Sequence, residues 1–228
     1  MLFDYARKNL DTVILSYLGN EITYQARLTN IDITASALVK TGVKENEKVV
    51  IMLPNIPEAR YLIYACSKIG AIPNPIMPTI SQEDLENIIK NTSCKKIFMM
   101  QGILKNYQQA LQSCHISPDN IIEINPLRSA KGLYKMLYLI NKDNYDNYLL
   151  NGKYQNTPPI KRKGEDLALI EQTGGTTSLT SKGVLISNYN LYASNYQLEH
   201  GGFNFDSGDL FLDILLTKLD KYLETNNT

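Results

Sequence analysis

Short apolar runs rich in β-branched residues alternate along this chain with segments whose apolar residues recur at helical spacing. Lys48-Val49-Val50-Ile51-Met52-Leu53 reads as a buried strand, and Pro54-Asn55 breaks it. A helix is expected from Pro57, where proline suits a first turn, with Leu62, Ile63, Cys66 and Ile69 on one face and Gly70 as its stop. Ala71 to Thr79 reads as extended and proline-rich. Ser81-Gln82-Glu83-Asp84 opens a second helix with a capping-box pattern, and Leu85, Ile88 and Ile89 form its inward face. Lys95-Lys96-Ile97-Phe98-Met99-Met100 reads as another strand, Lys105 to Cys114 as a helix, and Asn120-Ile121-Ile122-Glu123-Ile124 as a third strand. Strands alternating with helices at this spacing predict an α/β fold with a parallel sheet built from βαβ units.

The later chain is less regular. Tyr134 to Tyr154 is rich in tyrosine, asparagine and lysine, with a helical stretch near Lys135 to Ile140. It reads as a surface helix and a polar loop rather than a substrate-facing or partner-facing patch. Asn156-Thr157-Pro158-Pro159 and Lys161-Arg162-Lys163 form a linker-like segment. The basic run is brief and lacks interleaved aromatics, so it is read as solvated rather than nucleic-acid binding. Val184-Leu185-Ile186 is a further apolar run, and Ser187 or Asn188 can cap a helix reaching about Glu199. Leu210 to Leu215 begins like a strand.

Composition narrows the classes of function. At 228 residues the chain holds one large domain or two small ones, and an apolar fraction of 43% is that of a globular protein. A formal net charge of zero gives no bulk signal for a nucleic-acid or acidic-membrane partner. No apolar run approaches the roughly 20 residues of a membrane span. The N-terminus lacks a secretory apolar core, so a cytoplasmic protein is expected. Cys66, Cys94 and Cys114 form no C-x-x-C pair, and His115 and His200 share no ligand spacing, so no metal site is expected.

The candidate chemistry lies in Gln172-Thr173-Gly174-Gly175-Thr176-Thr177-Ser178-Leu179-Thr180-Ser181-Lys182-Gly183, which follows the apolar run Leu167-Ala168-Leu169-Ile170. Strand, polar loop and basic residue in that order can offer N–H groups, hydroxyls and a cation to a polyphosphate. Two familiar phosphate loops do not fit. The P-loop needs glycine directly before lysine, where this chain has Ser181, and G-x-G-x-x-G is absent.

Thr173-Gly174-Gly175-Thr176-Thr177-Ser178 … Lys182-Gly183-Val184, followed by Ser187-Asn188-Tyr189-Asn190-Leu191, resembles the phosphate-loop motif of the adenylate-forming acyl-CoA synthetase family. That motif reads T-[SG]-G-T-T-G-x-x-K-G-V, then S-H-x-N-L. Ile22-Thr23-Tyr24-Gln25, Gly42-Val43, Met52-Leu53-Pro54-Asn55, Pro57-Glu58 and Lys68-Ile69-Gly70-Ala71-Ile72-Pro73-Asn74-Pro75 resemble the family's N-terminal region in the right order. The resemblance runs over about residues 10–200, with 201–228 divergent, and identifies the chain as a partial N-terminal AMP-binding domain.

The resemblance implies a parallel-sheet domain and a two-step reaction. A carboxylate attacks the α-phosphorus of ATP, releasing pyrophosphate, and a thiol, usually coenzyme A, then takes the acyl group. It implies ATP with Mg²⁺ and coenzyme A as cofactors and a carboxylic acid, a fatty acid above all, as substrate. Thr173, Gly174, Gly175, Thr176 and Thr177 would line the β- and γ-phosphates, and Lys182 would supply the nearby cation. No catalytic residue is assigned.

The chain also departs from the family. It has one residue more than the motif between Thr177 and Lys182, Ser178 in place of glycine, and Asn188 in place of histidine. The added residue is expected to shift Lys182 relative to the phosphates. Family members are about twice as long. Their Y-G-x-T-E motif, their ribose-binding aspartate and the lysine of their C-terminal domain have no counterpart here, and Ser207-Gly208-Asp209 only echoes T-G-D. These departures predict an N-terminal half that is marginally stable and not competent alone. The other readings are a non-catalytic remnant, one half of a split enzyme that needs a complementary second half, or a fragment of an amino-acid adenylation domain.

Overall fold

A computed structural model describes residues 10–152, 157–173 and 182–201. The element order is β1 (Val13–Tyr17), β2 (Asn20–Thr23), α1 (Tyr24–Lys40), β3 (Lys48–Met52), α2 (Pro57–Lys68), β4 (Ile72–Ile76), α3 (Gln82–Thr92), β5 (Lys96–Met100), α4 (Gln108–Ser113), β6 (Ile121–Ile124), α5 (Gly132–Ile140), α6 (Tyr145–Leu150), β7 (Leu167–Thr173), β8 (Lys182–Ser187) and α7 (Asn188–His200). The centre is a parallel four-stranded sheet in the order β4-β3-β5-β6. The α/β class and the parallel pairing are those expected from the alternation of patterns.

Helices cover both faces of this sheet, which is why its strands read as continuous apolar runs. Val49, Ile51, Phe98, Ile122 and Ile124 point to one face, against α1, α2 and α6. Val50, Met52, Ile97 and Met99 point to the other, against Leu85, Ile88 and Ile89 of α3 and Ala110 and Leu111 of α4. Ser81 caps α3 by accepting from the Asp84 N–H at 3.0 Å. Ala71 to Thr79, read as extended, contains β4. Its prolines, Pro73 and Pro75, alternate, so they lack donors on the same side, as an edge strand tolerates. β7 lies alongside β4 but pairs only with β8 among the described residues, consistent with a β4 edge stripped of donors.

Two sequence expectations need correction, and one helix went unassigned. The surface-helix reading fits α5 but not α6. Tyr145 and Tyr148 are buried, stack on each other at 5.9 Å, and meet Phe98 edge-on at 6.3 and 5.2 Å. Their hydroxyls reach Thr34 and Thr41 Oγ1 at 3.3 and 3.1 Å, so the polar tips are satisfied. Arg162 is not simply solvated. Its guanidinium donates to Glu45, Asn46 Oδ1 and the Leu167 carbonyl at 3.0, 3.0 and 3.2 Å, fastening the start of β7 to the central sheet unit. Gly70, at φ +70°, makes room for this clamp, since a Cβ there would sit 2.8 Å from Glu45 Cγ. Finally, no helix was assigned to α1 from the sequence, although Ile31, Ala35 and Leu38 recur there at helical spacing. Its buried residues are Ile31, Thr34, Ala35, Ser36, Ala37 and Leu38; the helix packs on α2, and Thr34 also reaches Tyr145 of α6.

Candidate phosphate-loop site

The loop sits in an antiparallel hairpin. β7 and β8 pair with Thr173 opposite Lys182, Gln172 opposite Gly183 and Ile170 opposite Leu185. The Thr173 hydroxyl donates to the Lys182 carbonyl at 3.2 Å. The ladder therefore closes the mouth of the loop and sets both ends, leaving Thr173 and Lys182 exposed. Gly174, Gly175, Thr176 and Thr177, with Ser178 and the added residue, lie outside the described residues. The pairing bears on the expected displacement of Lys182. Its backbone is paired with Thr173 by the rung that ends the ladder.

Two residues that the sequence reading did not single out anchor the hairpin. Gln172 Nε2 donates to Asn74 Oδ1 at 3.0 Å, tying the last turn of the ladder to β4. Asn74 is fully buried. Gly183 makes that reach feasible. A Cβ there would lie 3.1 Å from Ile170 Cγ2 and 3.3 Å from Gln172 Nε2, so any larger residue would press on the side chain that makes the link. The signal was available in the alternation of the strand, because Gln172 is the one amide at an inward position next to the loop.

Beyond β8, Ser187 caps α7. Its hydroxyl accepts from the Asn190 N–H at 3.2 Å, and Asn190 Oδ1 accepts from the Ser187 N–H at 2.9 Å. Asn188, which replaces the motif's histidine, donates from Nδ2 to the Lys163 carbonyl at 3.0 Å. It thus braces the hairpin from outside.

A second polar cluster lies under α5 and α6. Glu58 is 2% exposed and accepts from Ser129 Oγ, with Arg128 Nε at 3.9 Å. Arg128 also pairs with Asp143 at 3.0 Å and with Asp146, and its guanidinium lies 5.0 Å from the Tyr145 ring. Burial pushes the Glu58 carboxyl above the ordinary carboxylate range, against the lowering pull of Ser129 and Arg128. The hydrogen bond from Arg128 holds Asp146 below its usual range. Glu58 belongs to the Pro57-Glu58 stretch, yet its sequence gave no sign of burial. A cavity of about 460 Å³ opens beside this cluster, lined in part by Glu58, Arg128, Ser129 and Lys135. Neither Thr173 nor Lys182 lines it.

Cys66 and Cys94 are buried, and burial pushes their thiols up to about 12 and about 11, so they are inert as nucleophiles near neutral pH. Among the described residues no group of three or more His, Cys, Asp or Glu could hold a metal ion. No helix among them is long and apolar enough to cross a membrane.

A parallel sheet with helices on both faces, followed by an antiparallel hairpin, defines an α/β architecture. The chain belongs to the AMP-binding enzyme family, which matches residues 2–218. An acetyl-coenzyme A synthetase from Allorhizobium ampelinum is 28% identical over 86% of this chain and 31% of its own length. The chain thus spans about a third of the length of the curated relatives it matches, less than the half expected from the sequence. Two solved structures share the fold. A long-chain-fatty-acid-CoA ligase from Archaeoglobus fulgidus superposes with a TM-score of 0.66 at 21% identity, covering 86% of this chain and 37% of that one. ATP-bound MatB from Rhodopseudomonas palustris superposes with a TM-score of 0.65 at 20% identity, covering 87% and 37%. The chain therefore corresponds to the N-terminal part of AMP-forming acyl-CoA ligases.

Proposed function

We propose that this chain forms the phosphate-binding part of an ATP-dependent ligase that joins a carboxylic acid to coenzyme A, in the cytoplasm. The observation that carries this reading is the rung joining Thr173 to Lys182, which brings a hydroxyl and an ammonium to the mouth of a glycine-rich loop. A carboxylate oxygen bonds to the α-phosphorus of ATP, the α–β bridging P–O bond breaks, and its electron pair leaves on pyrophosphate. Donors around the leaving group stabilise the charge that develops there. Thr173, Gly174, Gly175, Thr176 and Thr177 line the β- and γ-phosphates, and Lys182 supplies the cation. Mg²⁺ would enter with ATP, where phosphate oxygens and water would supply most of its ligands. Support for a carboxylate–CoA reaction comes from the acetyl-CoA synthetase relatives, and a fatty acid is the favoured substrate class.

The hairpin also supports a second element of this reading. Val184 and Leu185 of β8 are 42% and 65% exposed, and Tyr189, Tyr192 and Tyr196 of α7 are exposed as well. Such a surface suits a complementary segment, in the same chain or another, that closes over ATP. The 228-residue chain alone is therefore not expected to turn over. The test is Mg-ATP binding together with carboxylate-dependent exchange of labelled pyrophosphate into ATP. The expected outcome is measurable ATP binding without exchange. Lys182→Ala should weaken binding about 10- to 100-fold, the worth of a charge-assisted contact. Unchanged binding in Lys182→Ala would remove the role given to the loop, and robust exchange by the chain alone would remove the claim of incompetence.

A further inference from the structure

Helix α5 is built inside out. Leu133, Met136, Leu137 and Ile140 recur at i, i+3, i+4 and i+7, the stripe by which a helix normally meets its core. Here that stripe faces solvent, with exposures of 69%, 62%, 47% and 83%. Leu139 and Tyr134 flank it at 53% and 48%. The inward face is the polar one. Tyr138 is buried, and its hydroxyl accepts from Arg128 Nη1 at 3.0 Å. Lys135 Nζ donates to the Arg128 carbonyl at 2.7 Å and lies 4.4 Å from the Tyr138 ring. Two specific contacts thus hold the helix with its apolar side outward.

From this geometry we infer that α5 docks on an anionic lipid surface, with its apolar stripe in the interface. Charge selects this occupant. Residues 131–142 carry exposed Lys131 and Lys142 at the two ends of the helix, Lys135 turned inward to Arg128, and no carboxylate. The nearest acids, Asp143 and Asp146, are already bound to Arg128. Lysines at both ends of an apolar stripe, with a tyrosine at its flank, are the arrangement by which a helix lies in a head-group layer. The same lysines oppose a self-paired contact between two copies, because like charges would face each other. Bulk neutrality of the chain hides this local excess.

The patch is separate from the apolar surface of β8 and α7. α5 follows β6, at one edge of the sheet, whereas β7 lies along β4 at the other. The two surfaces therefore respond to different substitutions.

The experiment is co-sedimentation of the full 228-residue chain with vesicles of phosphatidylcholine alone or mixed with phosphatidylglycerol. Binding should be strong only with phosphatidylglycerol and should fall as salt rises. The double variant L137S/I140S, at two exposed positions, should lose at least tenfold in vesicle affinity while keeping the circular dichroism spectrum. L185S, on β8, should bind as the parent does. The charge variant K131E/K142E gives a second reading that does not depend on the apolar positions and should lose the phosphatidylglycerol preference. A parent chain that binds no vesicle would overturn the inference. So would equal losses in L185S and L137S/I140S, or full binding by both α5 variants. A change from dimer to monomer in L137S/I140S without loss of vesicle binding would assign the patch to a second copy instead.

Discussion

Strands β3 and β8 carry similar apolar runs and meet opposite fates. Val49, Val50, Ile51 and Met52 are buried, with parallel partners on both edges and helices on both faces. Val184 and Leu185, among the described residues, pair on one edge only and lie open. An apolar run therefore specifies a strand, whereas burial depends on what the rest of the fold places around it. The central unit completes its own core, and the hairpin presents a surface suited to a further segment.

The largest expected effect lies in the central unit. Phe98 is fully buried between the sheet and the Tyr145–Tyr148 pair. Phe98→Ala should cost about 3–5 kcal/mol, read from a urea unfolding midpoint. A cost near zero would mean that the sheet is not the stable part of the molecule. Arg128→Ala should follow at about 3 kcal/mol, because it leaves Glu58 and Asp143 buried without their cation. A loss confined to the hairpin, followed by hydrogen exchange, would break the assignment of this cluster to the central unit.

A smaller effect depends on pH. The Glu58 carboxyl titrates above its ordinary range when folded, mainly through burial. The folded state therefore binds that proton more tightly than the unfolded state. This contribution is present below the unfolded value, about 4.3, and is lost as pH rises through the raised folded value. Glu58→Gln lacks that titration. Parent stability should therefore fall relative to Glu58→Gln as pH increases from about 4.5 to about 8 in paired urea melts. A constant difference across that range would mean that Ser129 and Arg128 offset the burial of the charge.

The comparison also explains what could be read in the sequence. Residues 48–53, 95–100 and 120–124 were legible because strands covered on both faces carry short apolar runs between polar breaks. α1 was not, because Thr34, Ser36 and the alanines among its buried positions dilute the helical spacing of Ile31, Ala35 and Leu38. Tyr145 and Tyr148 were misread because tyrosine suits both surface and core, and only the threonines 34 and 41, far away in sequence, settle their hydroxyls. At the site, the order of glycines, threonines and lysine marked the loop. The link from Gln172 to Asn74 spans 98 positions, so strand alternation can place Gln172 inward but cannot name its partner.

The smallest expected effect is the sharpest control on the comparison. Leu185 is 65% exposed and sits directly opposite Ile170, which is buried. Leu185→Ser should change the stability of this chain by no more than about 0.5 kcal/mol, as surface substitutions do. In the presence of a complementary segment that covers β8, the same substitution should cost more, toward the range of about 2–5 kcal/mol for truncating a buried leucine. Measuring it both ways, in the chain alone and with that segment, separates an intrinsic strand surface from an interface. A large cost in the chain alone would show that β8 is already packed and that the contrast with β3 is one of degree.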